Sequence, residues 1–161
     1  MDRRGFLQGL FGVADPAATA RVLSEVFGWR EAAREGARTR FSAGGAAALG
    51  GSVDLLALPG ARGHQGRGSV HHVAFRAADD AAQAAMAAGL GALNLPVTEQ
   101  KDRFYFRSVY FREPGHVLFE IATDAPGFTA DEPLAALVSQ LRLPPHYEPI
   151  RARIEAALPP L

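Results

Sequence analysis

Val70-His71-His72-Val73-Ala74-Phe75-Arg76-Ala77-Ala78-Asp79 decides the fold, because an earlier stretch repeats its pattern. Phe6-Leu7-Gln8-Gly9-Leu10-Phe11-Gly12-Val13-Ala14-Asp15 lies 64 residues upstream. Each copy is a short apolar run with one polar side chain near its start and an aspartate at its end. Each is followed by an alanine-rich helical segment. The likeness continues into a second apolar run, residues 52–58 or 117–123, which holds one carboxylate. Asp54 follows Gln8 by 46 residues, and Glu120 follows His72 by 48. Two copies of one unit that project polar side chains from equivalent strands place a site at a pseudo-twofold axis.

Working outward, residues 5–14 form the first expected strand. Asp15-Pro16 starts a helix, with aspartate as N-cap and proline at the first helical position. Ala17, Val22, Leu23 and Val26 supply its apolar face, and Gly28 closes it. Strands are expected at 29–33 and 39–43, with Gly36 at the turn. A glycine- and alanine-rich loop (44–51) precedes the strand 52–58. Module one, residues 5–58, therefore has the order βαβββ. Residues 59–69 contain Pro59, Gly60, Gly63, Gly66 and Gly68 and are expected to be a linker.

Module two, residues 70–123, repeats the order. It has a strand at 70–77, a helix at 79–88 ended by Gly89, and strands at 92–97, 103–111 and 117–123. Glu113-Pro114-Gly115 makes a turn. The tail, residues 124–161, does not repeat. A helix beginning at Asp131-Glu132-Pro133 is expected to carry Leu134, Leu137, Val138 and Leu141, and a second helix spans about 148–158. The expected fold is α+β in a single domain, residues 1–161: two βαβββ modules forming a cupped mixed sheet, with a C-terminal helical tail.

The chain has 161 residues, 48% of them hydrophobic, enough for a buried core. Its 17 basic and 17 acidic residues balance, so charge gives no sign of a nucleic-acid or polyanion partner. The absence of cysteine excludes disulfides and thiolate metal sites. No apolar run is long enough for a membrane-spanning helix. Arg3-Arg4-Gly5-Phe6-Leu7 resembles an export signal, but the apolar stretch after it is short and Asp15-Pro16 interrupts it. A cytoplasmic location is expected.

His71 and His72 should point to opposite faces of one strand, because strand side chains alternate. Glu120 is a carboxylate between Phe119 and Ile121, and an ionised carboxylate there is costly unless paired or bound to metal. His72 and Glu120 on neighbouring strands suit a hard or borderline metal. The same residues also suit a satisfied core histidine and a structural ion pair. Arg103 and Tyr110 stand seven apart, which puts them on opposite faces of a regular strand unless a bulge intervenes. An arginine in a cleft binds oxyanions, and a tyrosine hydroxyl donates to a phenolate. His64, in the linker, and His116 and His146, without matching partners, are left outside the site.

The stretches Ser69–Arg76, Asp102–Gly115 and Leu118–Phe128 resemble the vicinal oxygen chelate superfamily. Within it the chain is most similar to hydroquinone-type ring-cleaving extradiol dioxygenases, and looks like their C-terminal half. The resemblance implies that His72 and Glu120 are ligands of a divalent metal, Fe(II) first, with Zn, Ni or Mn as alternatives. It implies that His71, Arg103 and Tyr110 contact substrate or support the ligands. The family's third ligand is a histidine on the first strand of the other half, and the equivalent strand here carries Gln8. A symmetric homodimer would place Gln8 and Asp54 of one chain against His72 and Glu120 of the other, similar to glyoxalase I. A separate chain could instead supply the missing half. The implied activity is a metal-dependent dioxygenase acting on a small aromatic diol. A glyoxalase-like lyase or isomerase acting on a carbonyl substrate, and a non-catalytic small-molecule-binding protein, are the alternatives.

Overall fold

The computed structural model describes residues 8–44, 51–60, 66–137 and 139–159, with Gln8 and Gly9 described in their backbone only. The expected strand start at 5–7, most of the glycine-rich loop and the linker around His64 lie outside the described residues.

Module one contains β1 (Gln8–Val13), α1 (Pro16–Arg21), β2 (Arg30–Glu35), β3 (Arg38–Ser42) and β4 (Ser52–Ala57). Module two contains β5 (Val73–Ala77), α2 (Asp80–Ala92), β6 (Lys101–Asp102), β7 (Arg107–Arg112) and β8 (Leu118–Thr123). Both are βαβββ. Their sheets have matching orders, β1-β4-β3-β2 and β5-β8-β7-β6. In each the first and last strands pair in parallel and the other pairings are antiparallel. The mixed sheet is thus two four-stranded sheets, one per module.

The caps expected from sequence form. The Asp15 side chain accepts from Ala17 N at 3.0 Å, and that of Asp79 accepts from Ala82 N at 2.8 Å. Each satisfies an N–H that the first helical turn leaves without a partner. The first helix continues as a π-helical stretch, Val22–Val26, and stops at Gly28, whose φ of 69° favours glycine.

Strand alternation gives each sheet a core face and a second face. Phe11, Val13, Val53 and Leu55 of module one are buried, as are Phe75, Phe119, Ile121 and Val109 of module two. The two sets join in one core. The rings of Phe11 and Phe119 are 5.5 Å apart, and Phe27 stacks on Phe75 at 4.4 Å. Glu113, fully buried, ties the modules together. It accepts from Thr19 Oγ1 at 2.5 Å, Gly115 N at 2.8 Å and Val117 N at 2.9 Å. Gly115 is required here, because a Cβ would lie 2.5 Å from Val13 Cγ1.

Several elements differ from the sequence-based expectation. The strand at 92–97 does not form. Instead α2 continues to Ala92, because fully buried Leu90 rewards another helical turn beyond Gly89. Val97 makes only an isolated bridge to Phe111. The strand expected at 103–111 is a hairpin: residues 103–106 turn between β6 and β7, with Arg103 N donating to Phe106 O at 2.9 Å. The first tail helix is reduced to 3-10 turns at Phe128–Ala130 and Leu134–Ala136. Leu134 is 77% exposed while Leu137 and Leu141 are half-buried, so the expected apolar face does not form one continuous stripe. Pro145–Ile150 is another 3-10 segment, leading into α3 (Arg151–Ala157). Among the described residues no helix is long and apolar enough to cross a membrane.

Candidate metal centre

The registers of the two sheets fix the equivalences between modules. Asp54 is paired with Leu10 on β1 and Arg40 on β3. Glu120 is paired with Ala74 on β5 and Tyr110 on β7. Asp54 therefore matches Glu120, Arg40 matches Tyr110, and Leu10 matches Ala74. Gln8 and His72 each stand two residues before Leu10 and Ala74, so their sequence positions match, but Gln8 is in the ladder, paired with Ser52, and His72 precedes it.

His72 and Glu120 converge. His72 Nε2 lies 2.7 Å from Glu120 Oε2. Glu120 is 3% exposed, and its Oε1 is buried with no hydrogen-bond partner among the described residues. A buried carboxylate oxygen without a donor is expensive. One oxygen facing an imidazole and one facing nothing is an acceptor surplus that a cation offsets.

His71 and His72 do not point to opposite faces. Their Nδ1 atoms are 2.9 Å apart and their rings meet edge to face at 89°. Both precede β5, outside the ladder, so strand alternation does not govern them. The contact couples their tautomers: one Nδ1 carries a hydrogen and the other accepts it. For His72 Nε2 to act as a ligand, the proton of neutral His72 must sit on Nδ1. His71 Nδ1 is then its acceptor, the kind of support that orients a ligand imidazole.

Tyr110 packs edge-on against His72, with ring centroids 5.8 Å apart. Arg103 Nη2 donates to Tyr110 Oη at 3.5 Å, and Arg103 Nε donates to Ser108 Oγ at 3.4 Å. Its guanidinium carbon lies 5.5 Å from the Tyr110 ring centroid. Arg103 and Tyr110 therefore meet, although strand alternation separates them. The β6–β7 hairpin folds Arg103 back over β7; no bulge is involved. Tyr105 Oη donates to Asp131 at 2.8 Å and braces the hairpin against the tail. Burial first, then that carboxylate, pushes the Tyr105 hydroxyl above its ordinary pKa.

Asp54 has different surroundings. It is fully buried, and Arg40 forks onto it, Nε to Oδ1 at 2.8 Å and Nη2 to Oδ2 at 3.0 Å. Arg38 Nη2 reaches Oδ2 at 2.5 Å. The hydrogen bonds from Arg40 hold the Asp54 carboxyl below the usual aspartate range, against the opposing effect of burial. A metal ligated by Asp54, as expected from sequence, would have to displace two guanidiniums. Arg38 and Arg40 were not singled out from sequence. The signal available was an arginine on β3 at the position that Tyr110 holds on β7. The side chain of Gln8 lies outside the described residues.

Among the described residues no three His, Cys, Asp or Glu side chains cluster as a metal site. His72 and Glu120 come together as a pair. The donor set, one imidazole beside one buried carboxylate, is of the kind that suits a divalent cation. His116 and His146 are exposed and apart from the pair.

Paired βαβββ modules, with a His–carboxylate pair on the second, define the class of protein. The chain belongs to the Glyoxalase/Bleomycin resistance protein/Dioxygenase superfamily, whose model matches residues 6–121. It is 46% identical over 147 residues to "Putative ring-cleaving dioxygenase MhqE" of Bacillus subtilis (strain 168), covering 91% of this chain and 48% of that one. It is 42% identical over 89 residues to "Chlorohydroquinone/hydroquinone 1,2-dioxygenase" of Sphingobium indicum, covering 53% of this chain and 27% of that one. The crystal structure of a "putative dioxygenase" from Bacillus subtilis subsp. subtilis str. 168 superposes with a TM-score of 0.85 at 40% identity. That match covers 94% of this chain and 48% of the other. The chain spans about half the length of the curated relatives it matches.

Proposed function

We propose that this chain is a metal-dependent, ring-cleaving dioxygenase-type protein acting on a small aromatic diol of the hydroquinone kind. The observation that carries the proposal is the buried Oε1 of Glu120, which lacks a donor while Oε2 faces His72 Nε2. The names of the relatives support the reaction class. His72 and Glu120 would hold the metal, with Fe(II) as first choice over Zn, Ni or Mn. Bound Fe(II) would supply the Lewis acidity and one-electron chemistry that ring opening by dioxygen requires.

The chain's own residues then have definite tasks. His71 holds the proton of His72 away from Nε2. Arg103 favours an ionised phenolic oxygen over the neutral phenol. Tyr110 Oη donates to that oxygen or to a developing negative charge beside it. A third protein donor would complete the site: Gln8 of the other copy in a homodimer, or a histidine of the remaining half that the longer relatives carry.

Metal analysis of protein purified without oxygen, followed by hydroquinone consumption on an oxygen electrode, tests the proposal. Iron close to one per chain and oxygen uptake that disappears in Glu120→Gln are expected. Zinc or nickel without oxygen uptake would favour a lyase of the same fold. No metal binding at all would leave a small-molecule-binding protein.

A further inference from the structure

Module one carries its own charged site, at the place where module two pairs His72 with Glu120. Two rows of residues cross the second face of its sheet. One is Leu10, Asp54, Arg40 and Ala33; the next is Gly12, Leu56, Arg38 and Glu35. Asp54 is fully buried, while the side chains of Arg38 and Arg40 are 46% and 43% exposed. The carboxylate thus works from beneath as an anchor that fixes two guanidiniums side by side. Arg40 spends Nε and Nη2 on Asp54, and Arg38 spends Nη2; among the described residues the remaining N–H groups meet no other acceptor. Glu35 neighbours Arg38 in the ladder but forms no ion pair with it, and is itself exposed.

We propose that Arg38 and Arg40, fixed by Asp54, form a carboxylate-binding site on module one, distinct from the His72–Glu120 pair of the same chain. Arginine presents planar, forked donors that match a carboxylate. Charge favours a monoanion: among the described residues two guanidiniums face one aspartate. Apolar surface beside the fork selects the rest of the ligand. Leu10 is 54% exposed next to Asp54, Leu58 is 41% exposed over Gly12, and Leu56 stands beside Arg38. The ligand class is therefore a small organic monocarboxylate with an apolar or aromatic body. The pseudo-twofold relation explains the placing. Module two leaves its carboxylate short of a positive partner, whereas module one has filled the matching space with arginine and turned it towards anions.

Benzoate titrated into the metal-free chain, followed by calorimetry and by chemical-shift changes, tests the proposal. One benzoate per chain should bind, more tightly than acetate or inorganic phosphate. Arg38→Gln should weaken it by about tenfold or more, the loss expected for one charged hydrogen bond. Asp54→Asn should weaken it as well, because the guanidiniums lose their anchor, and a thermal melt of each variant establishes that it is folded. His72→Ala should leave benzoate binding unchanged. Benzoate that fails to bind the wild type, binds folded Arg38→Gln equally well, or is lost in His72→Ala would overturn the proposal. Acetate and benzoate of equal affinity would remove the apolar part of the ligand assignment.

Discussion

Modules one and two each place a buried carboxylate at the matching point of their own sheet, and surround it with opposite chemistry. Asp54 is held by two arginines. Glu120 is held by one imidazole, with a second oxygen unpartnered. The backbone registers are the same, so backbone geometry does not make the difference. Two residues on the neighbouring strand do: Arg40 and Arg38 beside Asp54, where module two has Tyr110 and Ser108. An arginine at that place satisfies the carboxylate within the chain. A tyrosine leaves it to be satisfied by something else. Duplication supplied two equivalent frames, and side-chain charge divided their tasks.

The largest expected effect comes from breaking the proposed metal pair. Glu120→Gln or His72→Ala should lower Fe(II) or Mn(II) affinity by about a hundredfold or more, since loss of even supporting contacts around a metal costs about 10- to 100-fold. Asp54→Asn should leave the stoichiometry unchanged at one metal per chain. Calorimetric titration of the three variants checks this, and equal losses in all three would erase the distinction between the modules.

Glu113 joins the two modules, so its removal should affect both. Glu113→Ala leaves the Gly115 and Val117 N–H groups and the Thr19 hydroxyl without their acceptor. The expected cost is about 2–3 kcal/mol, from buried hydrogen bonds to a charged group. Urea unfolding measures it. A loss below about 0.5 kcal/mol would mean that the core alone joins the modules.

The charge on module one can be tested through pH. The Asp54 carboxyl lies below its ordinary value because it is ionised beside Arg40. Its contribution to stability is therefore fully present above the ordinary aspartate range and is lost as pH falls through the lowered value. Arg40→Met should reduce stability near neutrality by about 1 kcal/mol, since the arginine is half exposed and the pair is partly screened. The difference from wild type should shrink as pH falls below about 4. Melting temperatures across that range give the result, and a constant difference would remove Asp54 from the account.

The smallest effect is expected at Tyr110. Tyr110→Phe removes a hydroxyl that, among the described residues, hydrogen-bonds only to Arg103, at 3.5 Å, so stability should change by less than about 1 kcal/mol. Binding of a hydroquinone in the metal-loaded protein should weaken more than stability does. The reverse order would make Tyr110 a structural residue.

The repeated order of elements was legible in the amino-acid sequence because strand and helix signals are local. Asp15-Pro16 and Asp79 announced the helix starts, and Gly28 and Gly36 the stops and turns. The equivalence of Gln8 with His72, and of Asp54 with Glu120, was also visible, because a repeat preserves spacing. What neighbours do across a sheet was not visible. Alternation along one strand placed His71 opposite His72 and Arg103 opposite Tyr110. Outside the ladder, and around a hairpin, both pairs come together. The extension of α2 through Gly89 was decided by the burial of Leu90, which propensity cannot report. Nothing in the sequence singled out Arg38 and Arg40; their part follows from β4 putting Asp54 between β1 and β3. Local sequence determined the two frames and the residues available to each. Only the tertiary pairing of strands decided which carboxylate meets a guanidinium and which is left with an oxygen to spare, because electrostatic partners are chosen by distance in space.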